Sequence, residues 1–200
     1  LQPGSYIQAV LYYKPTRDLQ NLSETSHVRP LLHTAQDLGR ITIALRVVEL
    51  MNALMQPEQV VPMVFNLLVQ VLGRLNDATE RTDNLLPYFQ LRLGSVLGFA
   101  PAIDREEVRS LPEEGGLLLL ETGAVVGHSV AYGAWRRGSR GALRAFAICA
   151  RADLEDVMRM TLKPEIRSEV ERLVEDYLRY HLEDAYPSRS RKVIEQLAVR

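Results

Sequence analysis

Cysteine is nearly absent from this 200-residue chain. Cys149 stands alone, which excludes an intrachain disulfide and a cysteine-rich zinc site and fits a reducing, intracellular compartment. No apolar run approaches the ~18 residues that suggest a membrane-crossing helix, and no signal-peptide pattern opens the chain. It begins Leu1-Gln2-Pro3-Gly4, without methionine and directly ahead of a strand pattern, so residues upstream are expected to be missing from it. Excess charge is absent too. With 24 Lys and Arg against 25 Asp and Glu the net charge is −1, and any affinity for nucleic acid must come from local basic patches.

Catalytic and metal motifs are equally scarce. His27, His33, His128 and His181 are scattered, with neither HExxH nor Cys/His spacing. His181, on an amphipathic pattern, reads as a satisfied interface residue. Gly115-Gly116 and Gly138-Ser139-Arg140-Gly141 fit neither the phosphate-loop nor the dinucleotide fingerprint. Gly127-His128-Ser129-Val130-Ala131 has half of a nucleophile elbow but lacks the second glycine that the tight turn needs. Cys149 lies in the apolar run Ala145–Ala150 and reads as a small buried hydrophobe, with no histidine base paired to it. The expectation is a binding protein rather than an enzyme, with no cofactor and no metal.

What is present suits a helical fold. Apolar residues make up 46% and charged residues 24%, enough for a real core. Residues 5–13 predict a strand, Lys14–Asp18 a turn and Leu19–Ser23 a returning strand. A lone hairpin is not stable in water, so it must find further strands or lean on the helices. Apolar spacing of three and four predicts helices over Leu31–Met55, Pro57–Leu75 and Thr79–Leu97, with a break at Asn76-Asp77 and a stop at Gly98. Residues 99–141 read as an irregular insert in which Leu117–Leu120 and Ala124–Val126 form a small hairpin. Two short helices follow between Arg140 and Met160, breaking near Ala152-Asp153. A long amphipathic helix starts at Pro164 and ends by Pro187, with Arg167/Glu171 and Glu175/Arg179 as i,i+4 pairs. Ser188–Val199 predicts a final short helix with a basic start.

Three basic clusters remain. Tyr12-Tyr13-Lys14 with Arg17 sets aromatic rings beside cations on the hairpin, as in modules that stack bases of single strands; the alternative is half-buried strand tyrosines and a solvated turn. Arg136, Arg137, Arg140 and Arg144 put four arginines in nine residues beside Trp135, a candidate phosphate track. Arg189, Arg191 and Lys192 oppose the dipole at a helix start, or form a solvated tail.

The order of these features resembles a known family. The run from Ala9 to Glu24, the helix Leu85–Leu97 with Gly98–Asp104 behind it, Pro112–Leu118 and Pro164–Leu182 are similar to successive segments of the bacterial RecO recombination and repair family. The likeness covers nearly the whole chain; the first and last segments are specific and the middle helices generic. It implies a mainly α fold: the C-terminal part of an OB-fold β-barrel at residues 1–25, then an α-helical domain at 26–200 with an insert at about 99–141. Many members hold a structural zinc in that insert. Here the positions near Arg105–Val108, and near Leu119 and Thr122, hold no cysteine, so the resemblance implies a zinc-less insert. It also implies a cytoplasmic, nucleoid-associated mediator that binds single- and double-stranded DNA, anneals complementary strands and helps RecA load, together with RecR and single-strand-binding protein. The acidic, apolar tail of single-strand-binding protein would need an apolar groove rimmed by arginines, for which Arg172 and Arg179 are the candidates. A helical protein-interaction module without DNA binding of its own is the alternative.

Overall fold

Leu85 to Leu91 are buried without a break, which marks a helix packed on all sides. This helix, α4 (Leu85–Val96), is the axis of the fold. The computed structural model describes residues 4–56, 59–128, 130 and 132–187; the predicted helix at 188–199 and its basic residues lie outside them. Around α4 stand α2 (Leu38–Leu54), α3 (Pro62–Asp77), α6 (Arg140–Arg151), α7 (Leu154–Arg159) and α8 (Pro164–Leu182). One continuous core joins them, with Val47, Leu75, Phe89, Phe146, Leu173 and Tyr177 all but fully buried.

The helix boundaries follow local chemistry. The second predicted helix starts at Pro62 rather than Pro57. Proline has no N–H to give to a carbonyl four residues back, so it suits the first turn and resists a helix already under way. The first predicted helix divides into α1 (Leu32–Gln36) and α2, because Asp37 is extended and its carboxylate accepts the Arg40 N–H at 2.8 Å as an N-cap. The third begins at Leu85 and not Thr79. Arg81 is left-handed (φ 60°), and a 3-10 turn over Thr82–Asn84 precedes α4. Gly98 ends this run with φ 99°. The sequence break at Asn76-Asp77 falls inside the last turn of α3. There the Asn76 side chain accepts the N–H groups of His33 (3.0 Å) and Thr34 (3.3 Å), which ties α1 to the helix end.

The insert is more regular than its sequence suggests. It contains α5 (Arg105–Ser110) and a three-stranded antiparallel sheet in the order β4-β3-β5, made of β3 (Gly116–Leu119), β4 (Val125–Val126) and β5 (Trp135–Gly138). The hairpin of β3 and β4 is the predicted one, and β5 and α5 are additions. Backbone approach explains the glycine pair: a Cβ on Gly115 would stand 2.1 Å from the Gly138 carbonyl oxygen, and one on Gly116 2.3 Å from that of Val126. Leu111, Leu118, Leu120 and Val125 enter the common core. On α8, the Tyr177 hydroxyl donates to the Phe99 carbonyl (2.7 Å), and His181 stacks on the Phe99 ring with its Nε2 2.9 Å from the Leu120 carbonyl. Packing and these clasps hold the insert. The residues at the expected zinc positions, Arg105–Val108, Leu119 and Thr122, offer no sulfur or imidazole ligand and do not fit a zinc ion.

At the front, β1 (Tyr6–Tyr12) and β2 (Asn21–Arg29) form an antiparallel hairpin with irregularities between Tyr6 and Ile7 and between Val10 and Leu11. The return strand is longer than Leu19–Ser23 and starts later, so the strand pair extends past residue 25. Every residue of β2 is exposed. Only the root touches the helices, through Tyr6 edge-on to Phe65 at 5.8 Å and an ion pair between Arg29 and Asp77.

Arg40 fastens the end of α3: its guanidinium donates to the carbonyls of Leu75 (2.8 Å), Asn76 (2.9 Å) and Ala78 (2.6 Å). Arg40→Ala is expected to lower stability in urea unfolding by about 2–4 kcal/mol, since charged donors to part-buried carbonyls are lost together. Arg40→Lys should recover only part of this, because an ammonium cannot reproduce the planar fork. A loss for Arg40→Ala below about 0.5 kcal/mol would mean that water replaces the guanidinium.

Candidate nucleic-acid interface

The tip of the hairpin is organised by one side chain. Gln20 accepts the Lys14 N–H at 2.7 Å and donates to the carbonyls of Lys14 (3.0 Å) and Arg17 (2.6 Å). That loop leaves Lys14 and Arg17 in water and presents Tyr12 and Tyr13 at 67% and 65% exposure. The rings are therefore not half-buried strand residues. Both are exposed, next to two exposed cations.

The four arginines between 136 and 144 do not form one patch. Arg136 on β5 donates to Asp176 of α8 at 2.7 Å. Arg137 is exposed, and no carboxylate of the described residues pairs with it. Arg140, at the start of α6, lies 3.8 Å from the exposed Glu113. Arg144 turns inward and donates to the carbonyls of Val108 (3.2 Å) and Arg109 (2.8 Å), closing the C-terminal end of α5.

Arg144 instead belongs to a second arginine face that sequence reasoning missed. Arg140, Arg144, Ile148 and Arg151 recur along one side of α6, and α5 sets Arg105 and Arg109 opposite. Between the two helices runs a groove of about 400 Å³ with an apolar floor of Val108, Ala147 and Ile148, Arg105, Arg109, Arg144 and Arg151 around it, and Asp156 at one end. Of the nearby acids, Glu106 is engaged by Arg109 (2.9 Å) and Asp156 by Arg159 (2.9 Å). The missing signal was α5 itself. Asp104 caps it by accepting the N–H groups of Glu106 (2.7 Å) and Glu107 (3.2 Å), and an Asp followed three residues later by Glu is a helix-start pattern.

Arg172 and Arg179 line a different cleft, of about 580 Å³, between α2 and α8. Its walls are polar, with Arg46, Glu49, Glu171 and Asp176, over a floor of Leu50, Gln90 and Tyr186. Arg179 grips Glu175 at 2.8 Å, the expected i,i+4 pair, and lies over the Tyr186 ring at 5.0 Å. The expected Arg167/Glu171 pair does not form, because Arg167 reaches Asp83 at 2.7 Å instead. Glu171 has no hydrogen-bond partner among the described residues. Burial pushes its carboxyl above the ordinary range, Asp83 and Glu175 push the same way, and Arg46 and Arg167 oppose them. Arg189, Arg191 and Lys192 lie outside the described residues.

Cys149 is fully buried, and desolvation pushes its thiol up to about 12. Among the described residues no group of three or more His, Cys, Asp or Glu could hold a metal ion, and no helix is long and apolar enough to cross a membrane.

Two outcomes follow from these shifts. Cys149 should stay unlabelled by a thiol reagent at pH 8 until the protein unfolds, whereas labelling at the rate of a free thiol would contradict its burial. For Glu171 the folded state disfavours the charged form, so its cost is present at neutral pH and disappears as the pH falls below the ordinary carboxylate range. Glu171→Gln should therefore raise the melting temperature at pH 7, by an amount that shrinks towards pH 4. An equal gain at both values would point to a cause other than ionisation.

Comparison with known proteins identifies relatives of the chain. The family model described as "Recombination protein O C terminal" matches residues 35–190. The chain is 51% identical over 197 residues to a DNA repair protein RecO of Salinibacter ruber, an alignment that covers 98% of this chain and 76% of that protein. It is 26% identical over 210 residues to the DNA repair protein RecO of Chloroherpeton thalassium, covering 98% of this chain and 80% of the relative. A third relative, from Chlorobaculum parvum, is 41% identical over 103 residues, which is 52% of this chain and 40% of that protein. On these matches the chain belongs to the RecO family.

Proposed function

We propose that this chain is a non-enzymatic mediator of DNA repair and recombination, which binds single- and double-stranded DNA, anneals complementary strands and helps RecA load in concert with RecR and single-strand-binding protein. Family membership supports the role in repair and recombination. The observation that carries DNA contact is the separation of the arginines into engaged and open ones. Arg136 is held by Asp176 and the part-exposed Arg140 lies 3.8 Å from Glu113, while Arg137 stays exposed with no carboxylate partner among the described residues, on the same strand as Trp135, and Lys14 and Arg17 lie beside Tyr12 and Tyr13. Annealing requires charge neutralisation on two strands through contacts that do not read sequence, and guanidinium–phosphate pairs with exposed rings supply it.

The hairpin is read as the closing strands of an OB barrel. Its two unpaired edges support this, since an exposed edge among the described residues is a template for further strands. The α5–α6 groove suits the tail of single-strand-binding protein better than the α2–α8 cleft does. Its floor is apolar and its rim cationic, whereas the walls around Arg172 and Arg179 are polar on both sides. A cytoplasmic, nucleoid-associated location goes with this role.

Filter binding of a single-stranded oligonucleotide across a salt series tests the reading. Arg137→Ala with Arg140→Ala should weaken binding about tenfold and flatten the salt slope by about 1.4, two phosphate contacts of a single strand. Unchanged affinity and slope would remove β5 and α6 from the DNA surface.

A further inference from the structure

The root of the hairpin encloses an apolar pocket of about 270 Å³ between β1, α2 and α3. Tyr6, Phe65, Met51, Leu68 and Leu72 form its walls, and among the described residues Arg29 is the only charged side chain that lines it. Phe65 stands half out of the protein although it packs edge-on against Tyr6 at 5.8 Å. The Arg29 guanidinium reaches α3, where a Cβ on Gly73 would come within 2.6 Å of its Nη1, and it is held by Asp77. A cation at the mouth of an aromatic-walled pocket, with a carboxylate already on it, has the chemistry of a phosphate site with a resident competitor.

We propose that this pocket takes one unstacked nucleobase of single-stranded DNA, with the adjoining phosphate replacing Asp77 on Arg29. The inference rests on the DNA-binding reading above and extends it to a defined subsite. Continuity with the hairpin tip favours a nucleic-acid strand over a protein segment. Arg29 and Asn21 are the two ends of β2, about 26 Å apart at the usual rise per strand residue. A strand that stacks on Tyr12 and Tyr13 and meets Lys14 at the tip can run down the hairpin past the exposed His27 to the pocket at its root. Seating one base there fixes the strand's position without reading its sequence, because every base offers a flat apolar face to the half-exposed Phe65 ring. Asp77 keeps the site closed to stray anions and is exposed enough to yield.

Fluorescence anisotropy of the whole chain tests this, with a thymidine oligomer of ~20 nucleotides and an equally long abasic oligomer. Phe65→Ala removes a half-exposed ring, and its melting temperature is measured beside the binding. It should weaken the thymidine oligomer about tenfold and the abasic one by less than about twofold, since only the former has a base to stack. Asp77→Asn should tighten both oligomers and steepen the salt slope. Equal losses on the two oligomers, no loss on either, or weaker binding by Asp77→Asn would overturn the proposal. So would displacement of the thymidine oligomer from the wild type by an acidic peptide with an aromatic C-terminus, combined with no base-dependent effect of Phe65→Ala. Failure of the wild type to bind either oligomer would sink the DNA-binding reading and this subsite with it; normal binding that ignores Phe65 would sink the subsite alone.

Discussion

The carbonyl oxygens at the ends of helices are the constraint on which this fold turns. A helix leaves its last four carbonyls without partners, and a bundle of short helices has many such ends close to its core. Here side chains from other elements satisfy them. Arg40 serves the end of α3, Arg92 reaches the Ala152 carbonyl behind α6 at 2.6 Å, and Arg144 serves α5. Arg81 and Asn84 attend to α7, with the Asn84 amide donating to both Val157 (3.0 Å) and Met160 (2.8 Å). The planar guanidinium suits this role, because one group can donate to two or three oxygens and its charge opposes the negative end of the helix dipole.

That constraint decides which basic residues remain for a polyanion. An arginine committed to helix carbonyls still carries its charge, but its donors point inward, so it contributes field rather than contact. Arg144 is of this kind, and Arg151 likewise turns a donor inward, to the carbonyl of Ile103 in the loop ahead of α5 at 2.7 Å. Arg136 is compensated by Asp176. Open cations among the described residues include Lys14 and Arg17 at the hairpin tip and Arg137 on β5. A protein with net charge −1 can thus present local cationic faces while its interior spends much of its arginine on structure.

The hairpin is the opposite case. It meets the bundle only through Tyr6, its neighbours and Arg29, and the rest of both strands is solvated. Two strands bury too little to be stable alone, so the root contacts and whatever pairs along its edges decide where it stands. The aromatic pocket lies at that root, where a bound strand can act on the hairpin and the bundle together.

Several features were legible in the sequence because local chemistry sets them. Pro164 opens α8, Gly98 closes the run of α4, Asp153 starts α7, and the apolar run around Cys149 predicts its burial. Periodicity located the long helices. It missed α5, whose six residues supply one apolar position, and β5, a four-residue strand with two adjacent arginines that pairs with β3. It also joined α1 to α2 across Asp37 and placed the start of α3 at the wrong proline. The sequence by itself determined a helical bundle behind a hairpin, with no cysteine at the expected zinc positions. Apart from the i,i+3 and i,i+4 pairs, only the tertiary structure decided which arginines face water, which close helix ends and which are paired, because those partners lie far along the chain, 35 residues for Arg40 with Leu75 and 40 for Arg136 with Asp176.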